Sequence, residues 1–198
     1  RSVYTGSWLR IHVYPSDDAI IVYFSDITLT HQTTTRIETE HAVTRVLAST
    51  SSLQEAAPRL LEVICECLEL NAGGLWLPSG PEEQLCCAEF VMVACADEAL
   101  PRFKKASLRA TFAPGEGLPG QVYQQKEPVG LAQLSDEFNL RRIRGVKNPF
   151  RSGFAFPILA DDRCLGVLEF FAVRPMDFRE PKLAMMAALG RDIGQFML

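Results

Sequence analysis

Three glycines in the stretch APGEGLPGQVYQQ have the spacing of a nucleotide-binding loop. Gly115, Gly117 and Gly120 follow the pattern G-x-G-x-x-G, which in dinucleotide-binding folds joins a strand to a helix. Pro119 removes one of the backbone N–H donors that a phosphate would need, and no Gly-Lys pair follows as it does in a P-loop. We therefore expect a geometric role, in which Gly115 and Gly117 adopt positive φ and a short helix runs from Gly117 to Gln125.

The cysteines are the second group of residues that could carry chemistry. They are Cys65, Cys67, Cys86, Cys87, Cys95 and Cys164. None of them forms a C-x-x-C pair, and Cys65 and Cys67 point about 200° apart on a helix. A redox role for the adjacent Cys86 and Cys87 would require a strained ring. We expect reduced, mostly buried structural thiols, with no metal site and no cofactor.

A basic segment stands out in a chain whose formal net charge is -4. It contains Arg141, Arg142, Arg144, Lys147 and Arg151. No acidic residue lies between positions 138 and 160. Clustered guanidinium groups can bind a carboxylate or phosphate through charge-assisted hydrogen bonds. The segment therefore predicts a small anionic ligand or an anionic partner; the alternative is a solvated helix face, or a surface that pairs with Glu38 and Glu40.

The composition is that of an ordinary globular chain, with 47% hydrophobic and 22% charged residues. The net negative charge argues against non-specific nucleic-acid binding, which depends on excess Lys and Arg. No apolar run reaches the ~18 residues that a membrane-spanning helix needs, and the first residues lack the layout of a signal peptide. We expect a cytoplasmic location. Because the sequence begins abruptly in a strand-like pattern, we also expect a fragment of a longer protein.

The hydrophobic patterns predict the elements that must position these residues. They indicate a hairpin at 8–24, helices at 28–50, 52–70, 99–106 and 177–198, strands at 74–78 and 89–96, and a second hairpin at 152–175. In this second hairpin Phe154, Phe156 and Ile158 alternate on the first strand, and Val167, Glu169 and Phe171 alternate on the second. The order of elements predicts an α+β fold, in which N- and C-terminal helices pack on an antiparallel sheet, preceded by a hairpin and a linker helix.

Two blocks of the sequence resemble the GAF family. They are APGEGLPGQVYQQKEPVGLAQL and SGFAFPILADDRCLGVLEFFA, the second followed by a closing helix. The resemblance covers about residues 41–198. The opening WLRIHVYPS and AIIVYFSDITLTHQ, with Asp26, Ile27 and Thr28, is similar to the last two strands of a PAS domain. The predicted domains are the end of a PAS-like domain at 1–27, a signalling linker helix at 28–50, and a GAF domain at 51–198.

The resemblance implies a sensory module of a larger signalling protein, such as a sensor kinase or a cyclic-dinucleotide enzyme, that is not itself an enzyme. GAF domains bind small ligands in a pocket between the sheet and its variable connections. The residues that would border this pocket are Trp76, Arg141, Arg142, Arg144, Phe154, Phe156 and Phe170. The phenylalanines have a simpler interpretation as plain core. The alternative functions are a ligand-free dimerisation spacer and a cysteine-dependent GAF reductase.

The two long helices at 28–50 and 177–198 carry apolar stripes. In the first, Ile37, Thr44 and Leu47 form a narrow stripe, with Val43 and Val46 beside it. This narrow stripe suits contact between two copies better than a wide core contact. We therefore predict a parallel homodimer through both helices.

Overall fold

The computed structural model of the chain describes residues 7–93, 100–134, 148–178 and 180–197. Its strands are β1 (Leu9–Pro15), β2 (Ile20–Asp26), β3 (Ala72–Ser79), β4 (Gln84–Met92), β5 (Thr111–Phe112), β6 (Val129–Leu131), β7 (Ser152–Ala160) and β8 (Arg163–Ala172). Its helices are α1 (Thr28–Ala48), α2 (Leu53–Leu68), α3 (Leu100–Ser107), α4 (Gly117–Gln125) and α5 (Glu180–Phe196).

Six of these strands form one antiparallel sheet in the order β5-β4-β3-β8-β7-β6. The strands β3 and β8 are its centre, where Ala72 lies opposite Phe171 and Trp76 lies opposite Val167. Helices α2 and α5 cover one face of the sheet, and α1 packs against α2. Helices α3 and α4 lie on the other face. The α+β prediction is confirmed.

Helix α2 carries the widest apolar surface of the helix side. Its first turn is capped because the Glu55 backbone N–H donates to the Ser52 hydroxyl at 3.3 Å, and the Glu55 carboxylate accepts from the Ser51 N–H at 2.9 Å. The helix ends at Leu68, and its C-cap Glu69 has the left-handed conformation. The predicted end at residue 70 is therefore two residues too late. Gly73 belongs to β3, where any side chain would press against the Phe170 ring at 2.8 Å.

Helix α5 approaches β7 closely because it presents two glycines to the strand. A Cβ atom at Gly190 would overlap the carbonyl oxygen of Pro157, and one at Gly194 would overlap that of Leu159. Between them Ile193 is fully buried. The apolar stripe predicted for this helix exists, but it packs onto the sheet of its own chain.

The glycine loop has the predicted geometry. Gly115 and Gly117 have φ values of 84° and 59°, and α4 begins at Gly117 and ends at Gln125. A Cβ at Gly120 would overlap the Ala113 carbonyl oxygen, so the third glycine allows the helix to lie against the incoming chain. The three glycines therefore shape the entry into α4.

The two halves of helix α1 differ in how deeply their apolar residues are buried. In its C-terminal half Val43, Val46 and Leu47 are buried, and this half packs against α2. In its N-terminal half Leu29 is 77% exposed and Ile37 is 46% exposed. Of the narrow stripe that motivated the helix-mediated dimer, Leu47 is buried within the chain, whereas Ile37 and Thr44 are exposed. The dimer itself stays a prediction.

Strands β1 and β2 form a separate two-stranded sheet, as the hairpin prediction requires. Trp8, at the start of the hairpin, stacks on the His31 ring with 3.8 Å between ring centroids. Its backbone N–H also donates to the Thr28 hydroxyl at 2.9 Å. These two contacts attach the hairpin to the beginning of α1.

Candidate ligand-binding site

The four aromatic residues predicted to border a pocket lie on opposite faces of the sheet. Phe154, Phe156 and Phe170 are fully buried in the core cluster formed with α2 and α5. Their rings stack, with centroids 5.3 Å apart for Phe154 and Phe170. Trp76 belongs to the cluster on the other face, together with Phe112 of β5. Because successive strand residues point to opposite faces, the four cannot line one pocket, and this corrects the prediction for the three phenylalanines.

The predicted anion-binding residues Arg141, Arg142 and Arg144 lie outside the described residues, so their placement stays a prediction. The chain on either side of them is described. The Leu134 backbone N–H donates to the Arg151 carbonyl oxygen at 2.8 Å, and Leu134 and Phe150 belong to the same aromatic cluster. The segment between them therefore starts and ends on the sheet face where Trp76 lies.

A carboxylate lies buried in the middle of this face. Glu169 of β8 is only 2% exposed, and the Trp76 indole Nε1–H donates to its Oε2 at 3.0 Å. Along β8 the neighbours that share its face are Val167 and Phe171, which belong to two different clusters. Glu169 thus lies at the border between these clusters, on a central strand of the sheet.

Small residues flank this carboxylate on both neighbouring strands. Gly74 of β3 lies directly opposite Glu169 on one side, and Ala155 of β7 lies opposite it on the other. A Cβ at Gly74 would meet the Phe90 ring at 2.9 Å and the Trp76 Nε1 atom at 3.3 Å. Gly74 therefore gives the indole room to reach the carboxylate.

Aromatic rings surround the carboxylate on two sides. On one side Trp76 and Phe112 meet edge to face, with centroids 5.0 Å apart. On the other side Phe103 of α3 contacts Phe150 and Phe171 in the same way, at 4.9 and 5.4 Å. Such edge-to-face packing favours fixed ring positions, and the two aromatic clusters include Val167 and Phe171, the neighbours of Glu169 on this face of β8.

The carboxyl group of Glu169 is satisfied within the protein. Burying a carboxylate is costly unless donors satisfy its oxygens, and the Trp76 indole N–H is one such donor. Among the described residues, neither oxygen of Glu169 is a buried atom without a hydrogen-bond partner.

Glu169 was not among the residues predicted from the sequence as a site. A signal was present, since Glu169 is the one acidic residue in the strand RCLGVLEFFA. Charged residues are rarely fully buried unless they are paired, so an acid in a strand with apolar neighbours on both faces indicates a special role. Its partner Trp76 is 93 positions away and could be found only with the strand register.

Two surface clefts in the described part of the chain lie away from Glu169. One, of about 300 Å³, is lined by Tyr123 and Lys126 at the end of α4 and by Cys164 of β8. Another, of about 600 Å³, is lined by Glu38, Arg45 and other residues of α1 with Cys67 of α2. Both are open to solvent, and neither is lined by Glu169 or Trp76.

The family model described as GAF domain matches residues 50–197 of the chain. This match covers most of the sequence and includes every strand of the six-stranded sheet. The chain belongs to the GAF family. A search of curated proteins found no match.

Solved structures share this GAF fold at low sequence identity. The GAF domain of an Acinetobacter phosphoenolpyruvate-protein phosphotransferase is 15% identical, with a TM-score of 0.63 over 82% of this chain and 92% of that one. The free methionine-R-sulfoxide reductase of Neisseria meningitidis, in complex with its substrate, is 16% identical, with a TM-score of 0.64 over 95% of both chains. The corresponding phosphotransferase GAF domain of Coxiella burnetii is 17% identical, with a TM-score of 0.62 over 82% and 94%.

The described cysteines of this GAF domain are free thiols. Cys86 and Cys87 are paired with Leu77 and Trp76, at successive positions of β3, so their side chains point to opposite faces of the sheet. Burial raises the pKa of the Cys65 thiol to about 12 and that of Cys164 to about 11. A raised pKa suppresses the reactive thiolate. Cys95 lies outside the described residues.

Within the described ranges, no group of three or more His, Cys, Asp or Glu side chains is arranged to hold a metal ion. Of the described helices, none combines the length and the apolar character required to cross a membrane. The family match begins at residue 50, so the resemblance of residues 1–27 to the end of a PAS domain stays a prediction.

Proposed function

We propose that this GAF domain is a sensory module that binds a small ligand with N–H donors on the sheet face where Glu169 lies. The buried Glu169 carboxylate, held by the Trp76 indole between two aromatic clusters, is the observation that carries the proposal. A purely structural core position would favour an apolar residue, because burying a charge costs free energy. A ligand-binding role would explain why a carboxylate occupies this position.

The fold supports a ligand of amino-acid size. The Neisseria meningitidis reductase, which has the same fold, is in complex with its substrate. If Arg141, Arg142 and Arg144 face the same site, the ligand also carries an anionic group, as the sequence predicts. A zwitterion would then bind with its cationic group towards Glu169 and its anionic group towards the arginines. The proposed ligand class therefore includes amino acids and related small zwitterions.

The mechanism that we propose is regulatory. On β8 Glu169 alternates with Leu168 and Phe170, which belong to the core with α2 and α5. A ligand that pulls on Glu169 therefore acts on a strand whose other face packs against helices. If the ligand binds better to one packing arrangement of these helices than to another, it shifts the equilibrium between the two arrangements. The helices then transmit the signal to other parts of a larger signal-transduction protein.

Native mass spectrometry of the protein purified from its own host tests the proposal. We expect wild-type protein to retain a small molecule. The Glu169→Gln variant should bind this molecule at least about tenfold more weakly, because hydrogen bonds to charged groups contribute about 1.5–3 kcal/mol. The matched control is Glu82→Gln, which removes an exposed carboxylate from the turn before β4 and should leave binding unchanged.

Two outcomes would favour the alternatives. If wild-type protein retains nothing and binds none of a library of amines and amino acids, the domain is a ligand-free dimerisation spacer. If it reduces methionine sulfoxide and loses this activity in the Cys86→Ser or Cys87→Ser variant, it is a cysteine-dependent reductase. The opposite orientations of these two thiols and the raised pKa values of Cys65 and Cys164 support a non-enzymatic role.

A further inference from the structure

The N-terminal hairpin has one face that is almost entirely apolar. In the antiparallel register Ile11 lies opposite Phe24, and Val13 lies opposite Val22. Directly opposite residues share a face of the sheet, so alternate residues of both strands form one surface. This surface, the apolar hairpin face, consists of Leu9, Ile11, Val13, Pro15, Ile20, Val22 and Phe24. Asp26 lies at its end, opposite Leu9.

The apolar hairpin face is open to solvent. Ile11 is 57% exposed, Val13 59%, Ile20 70% and Phe24 60%. Together with Leu9 and Val22, the exposed parts of these side chains amount to roughly 600 Å², the upper end of the range for the largest apolar patch on a monomer. A two-stranded hairpin is also marginally stable in water by itself. The face therefore requires a partner surface.

We propose that the apolar hairpin face is the contact between two copies of this chain, packed face to face about a two-fold axis. A two-fold contact places the same surface on both sides, and this face is suited to it because its centre is uncharged. The opposite face carries Arg10, His12 and Ser25 besides Tyr14, Ile21 and Tyr23. The apolar hairpin face is thus the less polar of the two and the better suited to a symmetric contact.

The area of the apolar hairpin face is consistent with a contact between two copies of the chain. A standard interface buries about 800 Å² on each partner, and the apolar hairpin face supplies most of that. Leu29, in the first turn of α1, is also an exposed apolar residue, at 77%. The contacts of Trp8 with His31 and Thr28 fix the hairpin to the same turn. A pair of hairpins would therefore hold two α1 helices side by side at their N-terminal ends.

Sedimentation equilibrium of the full chain tests this contact with a pair of neighbouring substitutions. Val22→Lys puts a charge on the apolar hairpin face, and Tyr23→Lys puts the same charge on the opposite face of the same strand. We expect wild type and Tyr23→Lys to be dimers at roughly 100 µM, a concentration that saturates a micromolar dimer. Val22→Lys should weaken the dimer at least about a hundredfold, because a buried unpaired charge is strongly unfavourable.

A mixing experiment separates a lost contact from a misfolded hairpin. Val22→Glu mixed with Val22→Lys should restore the dimer, because a face-to-face contact brings the two opposite charges close together. A monomeric wild type, an equal loss of dimer in Val22→Lys and Tyr23→Lys, or a mixture that stays monomeric would each overturn the proposal. A monomeric wild type would assign the face to a segment outside this chain, as the resemblance to a PAS domain implies.

Discussion

The two faces of the six-stranded sheet are built from the same strands and differ in chemistry. On the helix side, Leu168 and Phe170 of β8 join an apolar core with α2 and α5. On the other side, Glu169 between them places a buried carboxyl group that is hydrogen-bonded to Trp76. The helix side thus gains stability from burial alone. The other side includes a group whose burial costs stability unless its oxygens are satisfied by hydrogen bonds.

The comparison predicts that the largest loss of stability comes from the helix side. Phe170→Ala should lower the free energy of unfolding by about 3–5 kcal/mol, because it removes a fully buried ring and leaves a cavity. Urea unfolding followed by circular dichroism measures this. A loss below about 1 kcal/mol would mean that the core on this side is not closely packed.

A second prediction concerns the close approach of α5 to β7. Gly194→Ala should lower the free energy of unfolding by about 2 kcal/mol, because the new methyl group overlaps the Leu159 carbonyl oxygen. Helix propensity alone predicts the opposite sign, a gain of up to about 1 kcal/mol. The control is Ala184→Gly at an exposed position of the same helix, where propensity alone should decide. A stabilised Gly194→Ala variant would contradict the packing described for α5.

A third prediction uses the buried thiol of Cys65 in α2. Its pKa is raised from 9.0 to about 12, first by burial and then by the nearby Glu66 and Glu62. Folding therefore favours the protonated thiol. The contribution of this thiol to the free energy of unfolding is fully present below pH 9 and is lost as the pH rises towards 12. Between pH 8 and pH 10.5 the loss from this one group is about 2 kcal/mol.

Urea unfolding of Cys65→Ala at both pH values measures this contribution. Over the same pH interval, the free energy of unfolding of this variant should fall by about 2 kcal/mol less than that of wild type. The control is Cys86→Ala, which removes a thiol from a half-buried strand position. Equal losses in wild type and Cys65→Ala would show that the thiol is not buried as described.

Much of the fold could be predicted from the sequence because it follows from local patterns. The glycine loop and α4 have the predicted bounds, since positive φ and the first helical turn depend on neighbouring residues. The start of β3 could not be predicted in this way. Gly73 and Gly74 look like a helix stop, but they are in a strand because the Phe170 and Phe90 rings leave no room for side chains.

The site was harder to predict for a related reason. Alternation shows which strand residues share a face, but it does not show what covers each face. The phenylalanines and Trp76 were therefore assigned to one pocket, although the register of β3 and β8 separates Phe170 from Trp76. Glu169 carries a recognisable signal in the sequence. Its neighbours Gly74, Ala155 and Trp76 follow only from the strand register, because they lie on other strands.

The most direct test of the difference between the two faces compares two adjacent residues of β8. Phe170→Leu and Glu169→Gln are each titrated calorimetrically with the molecule released from the native protein, at a temperature where both variants are folded. We predict that Phe170→Leu, although less stable, binds within about threefold of wild type, and that Glu169→Gln binds at least about tenfold more weakly. Wild-type affinity in Glu169→Gln would contradict the assignment of this face as the ligand-binding site.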